Sequence, residues 1–87
     1  MYYVYIIKSQ NKNFRYVGFT SDLQKRFNHH NTGANKSTAK HRPLKLIYYE
    51  AYLSESDARK REKFLKSGRG REVIKKQLEN TFDAGIV

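Results

Sequence analysis

Tyr2-Tyr3-Val4-Tyr5-Ile6-Ile7-Lys8 opens the chain, and the rest of the fold is arranged around it. These residues are β-branched or aromatic up to the lysine and show no polar alternation, so the stretch reads as a strand apolar on both faces. A strand of that kind belongs in the middle of a sheet covered on both sides. The polar run Ser9 to Asn13 turns the chain, and Phe14 to Thr20 resumes the strand pattern. The two segments are therefore expected to pair as an antiparallel hairpin, with Tyr5 and Tyr16 on neighbouring strands. Leu44 to Tyr52 reads as a third strand, with Leu44, Leu46 and Tyr48 on one face and Ile47 and Tyr49 on the other.

Helix signals fill the intervals. Ser21 with Gln24 three residues later makes a capping box, and Gly33 is a stop, which predicts a helix over about residues 22 to 31. Leu23 and Phe27 form its inward stripe, and Arg26 and His30, also i, i+4, run along the edge of that buried face. Gly33 to Pro43 has few large apolar residues but holds Lys36, Lys40, His41 and Arg42, and is expected to be a basic exposed loop. Ser54 and Asp57 open a second helix whose inward face carries Ala58 and Leu65, with Glu62 between them. Ser67 and Gly68 break that pattern. A last helix is expected from about Glu72, carrying Ile74, Leu78 and Phe82, so that one domain spans residues 1 to 82 and 83 to 87 form a tail.

The chain has 87 residues, enough for one small core. Its 18 Lys and Arg against 8 Asp and Glu leave a formal net charge of +10. Charges at that density repel one another unless a polyanion relieves them, which points to nucleic acid. Cysteine is absent, which excludes disulfides and thiolate metal sites and fits the cytoplasm. The start of the chain has neither the basic region nor the apolar length of a signal peptide. No segment approaches the roughly 20 apolar residues of a membrane span.

Tyrosine suits half-buried strands, so Tyr2, Tyr3, Tyr48, Tyr49 and Tyr52 read as packing residues. Tyr5 and Tyr16 stand apart because of their company. Gly18 follows Tyr16 by two within a strand, where glycine often marks a close approach. Glu62 interrupts an apolar helix face and needs a partner, either a cation or a salt bridge to Lys66 at i+4 or Arg59 at i−3. His29 and His41 read as surface residues, His41 near nucleic acid.

Taken in order, Tyr3-Val4-Tyr5, Tyr16-Val17-Gly18, Arg26, His30 and Glu62 resemble the pattern of the GIY-YIG nuclease family. The likeness runs from about residue 2 to residue 80. It is strongest to small stand-alone members whose helix reads Asp-Leu, Arg and His-Asn, here Asp22-Leu23, Arg26 and His30-Asn31, and extends to the catalytic N-terminal domain of the excision-repair nuclease. Tyr3 stands where the name motif has glycine. The resemblance implies an α+β fold in the order ββαβαα, a three-stranded antiparallel sheet flanked by helices. It implies a metal-dependent DNA endonuclease acting in repair or on single-stranded, branched or damaged DNA, with RNA as an alternative substrate. Carried over by position, Tyr5 would activate the attacking water with Tyr16 beside it, Arg26 would contact the scissile phosphate and His30 would handle protons. Glu62 would hold Mg²⁺ or Mn²⁺, and Gly18 would let phosphate approach the backbone.

Phosphodiester hydrolysis needs a base for water, positive charge at the phosphate oxygens, and a proton or metal for the leaving oxygen. A free tyrosine, with a pKa of about 10, is a poor base at neutral pH. It would depend on the Arg26 guanidinium and the metal to favour phenolate. Larger members of that family carry a separate DNA-binding domain; with none expected here, specificity is expected from the Gly33 to Pro43 loop with Lys36, Lys40 and Arg42, from the Lys60-Arg61-Lys63 helix and from Arg69 and Arg71, or from a partner protein. The competing expectations are a nucleic-acid-binding module that keeps the scaffold without turnover, and an adaptor docking on a larger repair complex.

Overall fold

Strand β1 (Tyr2–Ser9) is flanked on one side by β2 (Arg15–Thr20) and on the other by β3 (Leu44–Tyr52), giving a three-stranded antiparallel sheet in the order β2-β1-β3. Four consecutive residues of β1 are sealed from solvent, Val4, Ile6 and Ile7 at 0 % exposure and Tyr5 at 1 %. That is the signature of a central strand covered on both faces. The computed structural model describes residues 1 to 83. Helix α1 (Leu23–Asn31) covers one face, where Leu23 and Phe27 pack on Tyr5, Ile7 and Leu44. Helices α3 (Glu55–Lys66) and α4 (Gly68–Gln77) cover the other, where Ala58, Leu65 and Ile74 pack on Val4 and Ile6. The α+β architecture of a three-stranded antiparallel sheet flanked by helices is therefore present. Two short helices, α2 (Lys36–Ala39) and α5 (Glu79–Asp83), add to the expected order.

Several local expectations are corrected by the structure. The cap of α1 is Asp22, whose carboxylate accepts from the Lys25 amide at 3.1 Å, so the helix begins one residue past the expected Ser21 cap. The stop at Gly33 holds, with φ at +82°. The basic loop that follows is not wholly exposed: Asn35 caps α2 by accepting from the Ser37 amide, and Thr38 is fully buried. In β3 the simple alternation fails, because Ile6 pairs with Tyr48 while Ile7 pairs with Leu46. Ile47 is the extra residue of a bulge, and it flips the faces beyond it. Ile47 and Tyr48 both pack toward α3 and α4, while Leu46 packs toward α1 and Tyr49 meets Tyr3 edge to face.

The last long helix starts at Gly68 rather than Glu72. Ser67 caps it by accepting from the Gly70 amide at 3.1 Å. Gly70 lies against the backbone of Phe64 and Leu65, where a side chain would strike the Phe64 carbonyl, so Ser67 and Gly68, read as breakers, are instead the cap and first residue of α4, with Gly70 in its first turn. The helical run then breaks at Leu78, which places Phe82 on α5. Asp83 is the last residue of α5, and the remainder of the expected tail lies outside the described residues. Among the described residues, no helix is long and apolar enough to cross a membrane.

Candidate active site

Pairing across β1 and β2 sets Tyr5 opposite Gly18 and Ile7 opposite Tyr16. Directly opposed residues share a sheet face, so Tyr5 and Tyr16 both point toward α1. Their rings lie 6.4 Å apart between centroids. One helical turn separates Arg26 from His30, and α1 delivers both onto the two tyrosines. The His30 ring sits 5.7 Å from that of Tyr5 and 5.2 Å from that of Tyr16.

A hydrogen-bonded chain runs through this cluster. The Tyr5 hydroxyl meets His30 Nε2 at 2.8 Å, and His30 Nδ1 meets Thr38 Oγ1 at 2.8 Å. The Thr38 hydroxyl has the Asn35 carbonyl as its acceptor at 3.4 Å. One proton assignment satisfies every member: Thr38 donates to Asn35 and accepts Nδ1–H, which leaves the Nε2 lone pair to accept from the Tyr5 hydroxyl. Arg26 Nε donates to the Tyr5 oxygen at 3.3 Å, closing the chain on its outer side. Tyr5, His30 and Thr38 are all buried, whereas Tyr16 and Arg26 are half-buried and form the accessible part of the cluster.

Electrostatics follow from that burial. Burial raises the Tyr5 phenol above its ordinary 10.0, opposed by the hydrogen bond and charge of Arg26. His30 is lowered to about 4, by burial first and then by the positive charges of Arg26 and His29. At neutral pH the pair is thus a neutral phenol facing a neutral imidazole. Arg26 is raised, chiefly by its hydrogen bond to Tyr5 and further by Tyr16.

Gly18 is buried, and the space where its side chain would stand is filled by the ring and hydroxyl of Tyr5. The close approach expected there is made by Tyr5 itself. Glu62 projects from α3, and its negative charge is felt at the Tyr5 hydroxyl. The salt bridges weighed for it from the sequence both form, Oε2 with Lys66 Nζ at 2.8 Å and Oε1 with Arg59 Nη1 at 3.5 Å. Its side chain is only 15 % exposed. No group of three His, Cys, Asp or Glu gathers around a common point among the described residues.

Of the residues expected to contact nucleic acid, Lys36, Lys40, Arg42, Arg69 and Arg71 are all exposed. Lys36 and Lys40 lie at the two ends of α2, and Arg69 and Arg71 lie in the first turn of α4, so they form two separate patches. Arg61 is not available to a phosphate, since its guanidinium is spent on Glu50 at 3.0 Å. His41 stacks on Phe14 with ring centroids 3.6 Å apart. Thr38 is the site residue that the sequence reading missed. Its signal was slight, a small β-branched residue between two lysines, and its role exists only because α2 folds back against α1.

A model of the GIY-YIG catalytic domain matches residues 1–77. The UPF0213 protein of Limosilactobacillus reuteri is 38% identical over 85 residues, covering 94% of this chain and 88% of its own. That of Clostridium perfringens is 39% identical over 67 residues, covering 76% and 71%, and one from Staphylococcus saprophyticus is 37% identical over 67 residues, covering 76% and 80%. No solved structure matches the chain.

Proposed function

The chain belongs to the GIY-YIG catalytic-domain family, a nuclease superfamily, and stands among its UPF0213 proteins; from that premise we propose that it is a metal-dependent endonuclease hydrolysing phosphodiester bonds in single-stranded, branched or damaged DNA in the cytoplasm. The observation that carries this reading is the buried chain Thr38–His30–Tyr5 with Arg26 at 3.3 Å from the phenol oxygen. Three polar side chains have been taken out of water at a cost of several kcal/mol if any were left unpaired. They are fully paired, and they end at an accessible guanidinium and tyrosine rather than in the core.

In the proposed reaction the scissile phosphate lies against Arg26, whose charge offsets that developing on the equatorial oxygens. Tyr5 takes the proton of the attacking water, and its own proton moves to His30 Nε2. Thr38 holds Nδ1–H, which keeps Nε2 unprotonated and aimed at Tyr5. Tyr16, half-buried beside Arg26, helps to position the phosphate. A phenol held above 10.0 and an imidazole lowered to about 4 will not exchange that proton at rest, so the transfer needs added positive charge at the site. Glu62 is the residue that would hold Mg²⁺ or Mn²⁺. The donor set fits such an ion: each of its oxygens has one cationic partner and retains a lone pair, and hard ions accept a single carboxylate completed by waters and a phosphate. When bound, a divalent cation there would supply the charge that favours phenolate and neutralises the phosphate oxygens.

The test is a Mg²⁺ and Mn²⁺ titration with supercoiled plasmid, single-stranded and branched DNA. Wild type is expected to nick, with Tyr5→Phe and Glu62→Ala reducing the rate by about a hundredfold or more, the lower range for a lost acid–base group. Cleavage in neither DNA nor RNA by well-folded protein would sink the proposal. A binding module without turnover is the second reading, favoured by the salt bridges that already occupy Glu62. It requires that Glu62→Ala bind nucleic acid as wild type does while no metal concentration produces nicks.

A further inference from the structure

Lys8 and Arg15 face one another across β1 and β2, on the sheet face opposite Tyr5. Together with Lys66, Arg71 and Lys75 they line a groove of about 740 Å³ that runs along β2, an edge strand of the sheet, and among the described residues no carboxylate lines it. Lys66 has a partner in Glu62. Arg15 is held below its ordinary value, first by burial and then by the neighbouring charge of Arg71. Cations forced toward one another in a concavity form a site that a chain of phosphates would relieve, unlike a solvated surface where they would spread apart.

The same groove has an aromatic lining. Phe14, Tyr16 and Phe82 border it, all half-buried, and the Arg15 guanidinium sits 5.2 Å over the Phe82 ring. Cations interleaved with aromatic rings suit unpaired bases, which stack on the rings while their phosphates meet the charges. Two side chains join the groove to the catalytic cluster. Tyr16 lies beside His30 and Arg26 and borders the groove, and Lys66 lines the groove and bonds to Glu62.

We propose that a single-stranded nucleic acid leaves the catalytic face beside Tyr16, turns around the β2 edge and lies in this groove, its phosphates against Lys8, Arg15, Arg71 and Lys75. The proposal rests on the nuclease reading and narrows its substrate class. A path from one sheet face to the other around a strand edge is open to a flexible single strand. Duplex DNA, with a persistence length of about 150 base pairs, cannot make so tight a turn without a large bending cost.

Fluorescence anisotropy in EDTA, which isolates binding from cleavage, tests this with labelled oligothymidylate, oligouridylate and a blunt duplex. Arg71 and Lys75 are exposed, so their removal leaves the core intact, as circular dichroism would verify. Arg71→Ala and Lys75→Ala are each expected to weaken single-strand binding about fivefold at roughly 0.1 M salt and to lower the log–log salt slope by about 0.7, the single-strand value per phosphate contact. Lys25→Ala, an exposed charge on α1, which covers the other face of the sheet, should leave both unchanged. A preference for the deoxy or the ribo strand identifies which nucleic acid is held. The groove is refuted if the duplex binds as tightly as the single strands, if no single strand binds, or if both variants behave like Lys25→Ala. Should the groove variants lose binding while no metal produces nicks, the endonuclease reading falls and the groove stands. Nicking with unaltered binding in the variants refutes the groove alone.

Discussion

His30 shows how much one residue's meaning depends on its surroundings. His29 next to it is exposed, while His30 is at 0 % exposure with both ring nitrogens bonded. Because its folded pKa is lowered to about 4 from 6.5, the fold excludes the imidazolium while the unfolded chain accepts the proton. The sign follows from linkage: the neutral-histidine contribution is full above pH 6.5 and is lost progressively as pH falls toward 4. Urea midpoints measured from about pH 7.5 to about pH 4.5 should fall over that window, and His30→Gln should flatten the decline. Thr38→Val, nearly equal in volume, leaves Nδ1–H buried without an acceptor. A loss of about 1–3 kcal/mol in unfolding free energy is expected, the usual cost of an orphaned buried polar group. If Thr38 also sets the tautomer, that variant loses nicking rate at saturating substrate, which simple destabilisation would leave unchanged at low temperature.

At the scale of elements, β3 and α3 are tied by a polar cluster distinct from the catalytic one. Glu50 accepts from Tyr48 at 2.6 Å and Tyr52 at 2.5 Å and takes both Nε and Nη2 of Arg61. Tyrosines expected to serve only as packing thus anchor a carboxylate, and Tyr52 is pushed up to about 12, by burial and by that bond to Glu50. For Glu50 burial acts upward, but the bonds from Arg61, Tyr48 and Tyr52 prevail and hold it below 4.5. Its stabilising effect is therefore present above pH 4.5 and lost as pH falls through the lower folded value, a window more acidic than that of His30. Glu50→Gln should lower stability by about 1.5–3 kcal/mol, the range for a hydrogen bond to a charged group, in guanidinium unfolding at about pH 7, with nicking retained at about 20 °C. The face that Tyr48 takes in this cluster depends on the Ile47 bulge. Strand alternation alone puts it with Leu46, since period-two reasoning holds only until an extra residue enters.

For the molecule as a whole the dominant quantity is the net charge of +10 spread over 87 residues. Its arrangement matters more than its size: one patch lies on α2, another in the first turn of α4, and the second continues into the groove along β2. A ligand that binds the folded state alone raises stability by mass action, by about 2.7 kcal/mol at a hundredfold excess over its dissociation constant. Oligothymidylate in EDTA should accordingly raise the melting temperature at low salt, and the rise should vanish near roughly 0.5 M salt as counterion release loses its drive. A melting temperature insensitive to the oligonucleotide at about 20 mM salt would contradict a polyanion partner.

The amino-acid sequence by itself determined the central strand, the hairpin that joins Tyr5 to Tyr16, the helix that presents Arg26 and His30, and the inward faces of Ala58, Leu65 and Ile74. These depend on composition and on spacing within a few residues, where covalent geometry ties pattern to structure. The tertiary structure alone decided what each group bonds to. Thr38 reaches His30 across 8 residues, His30 reaches Tyr5 across 25, and Arg61 reaches Glu50 across 11. The bulge at Ile47, the start of α4 against the Phe64 carbonyl, and the occupation of the Gly18 space by Tyr5 belong to the same class. Each depends on close packing between segments distant in the chain, and local propensity carries no information about which side chains will meet there.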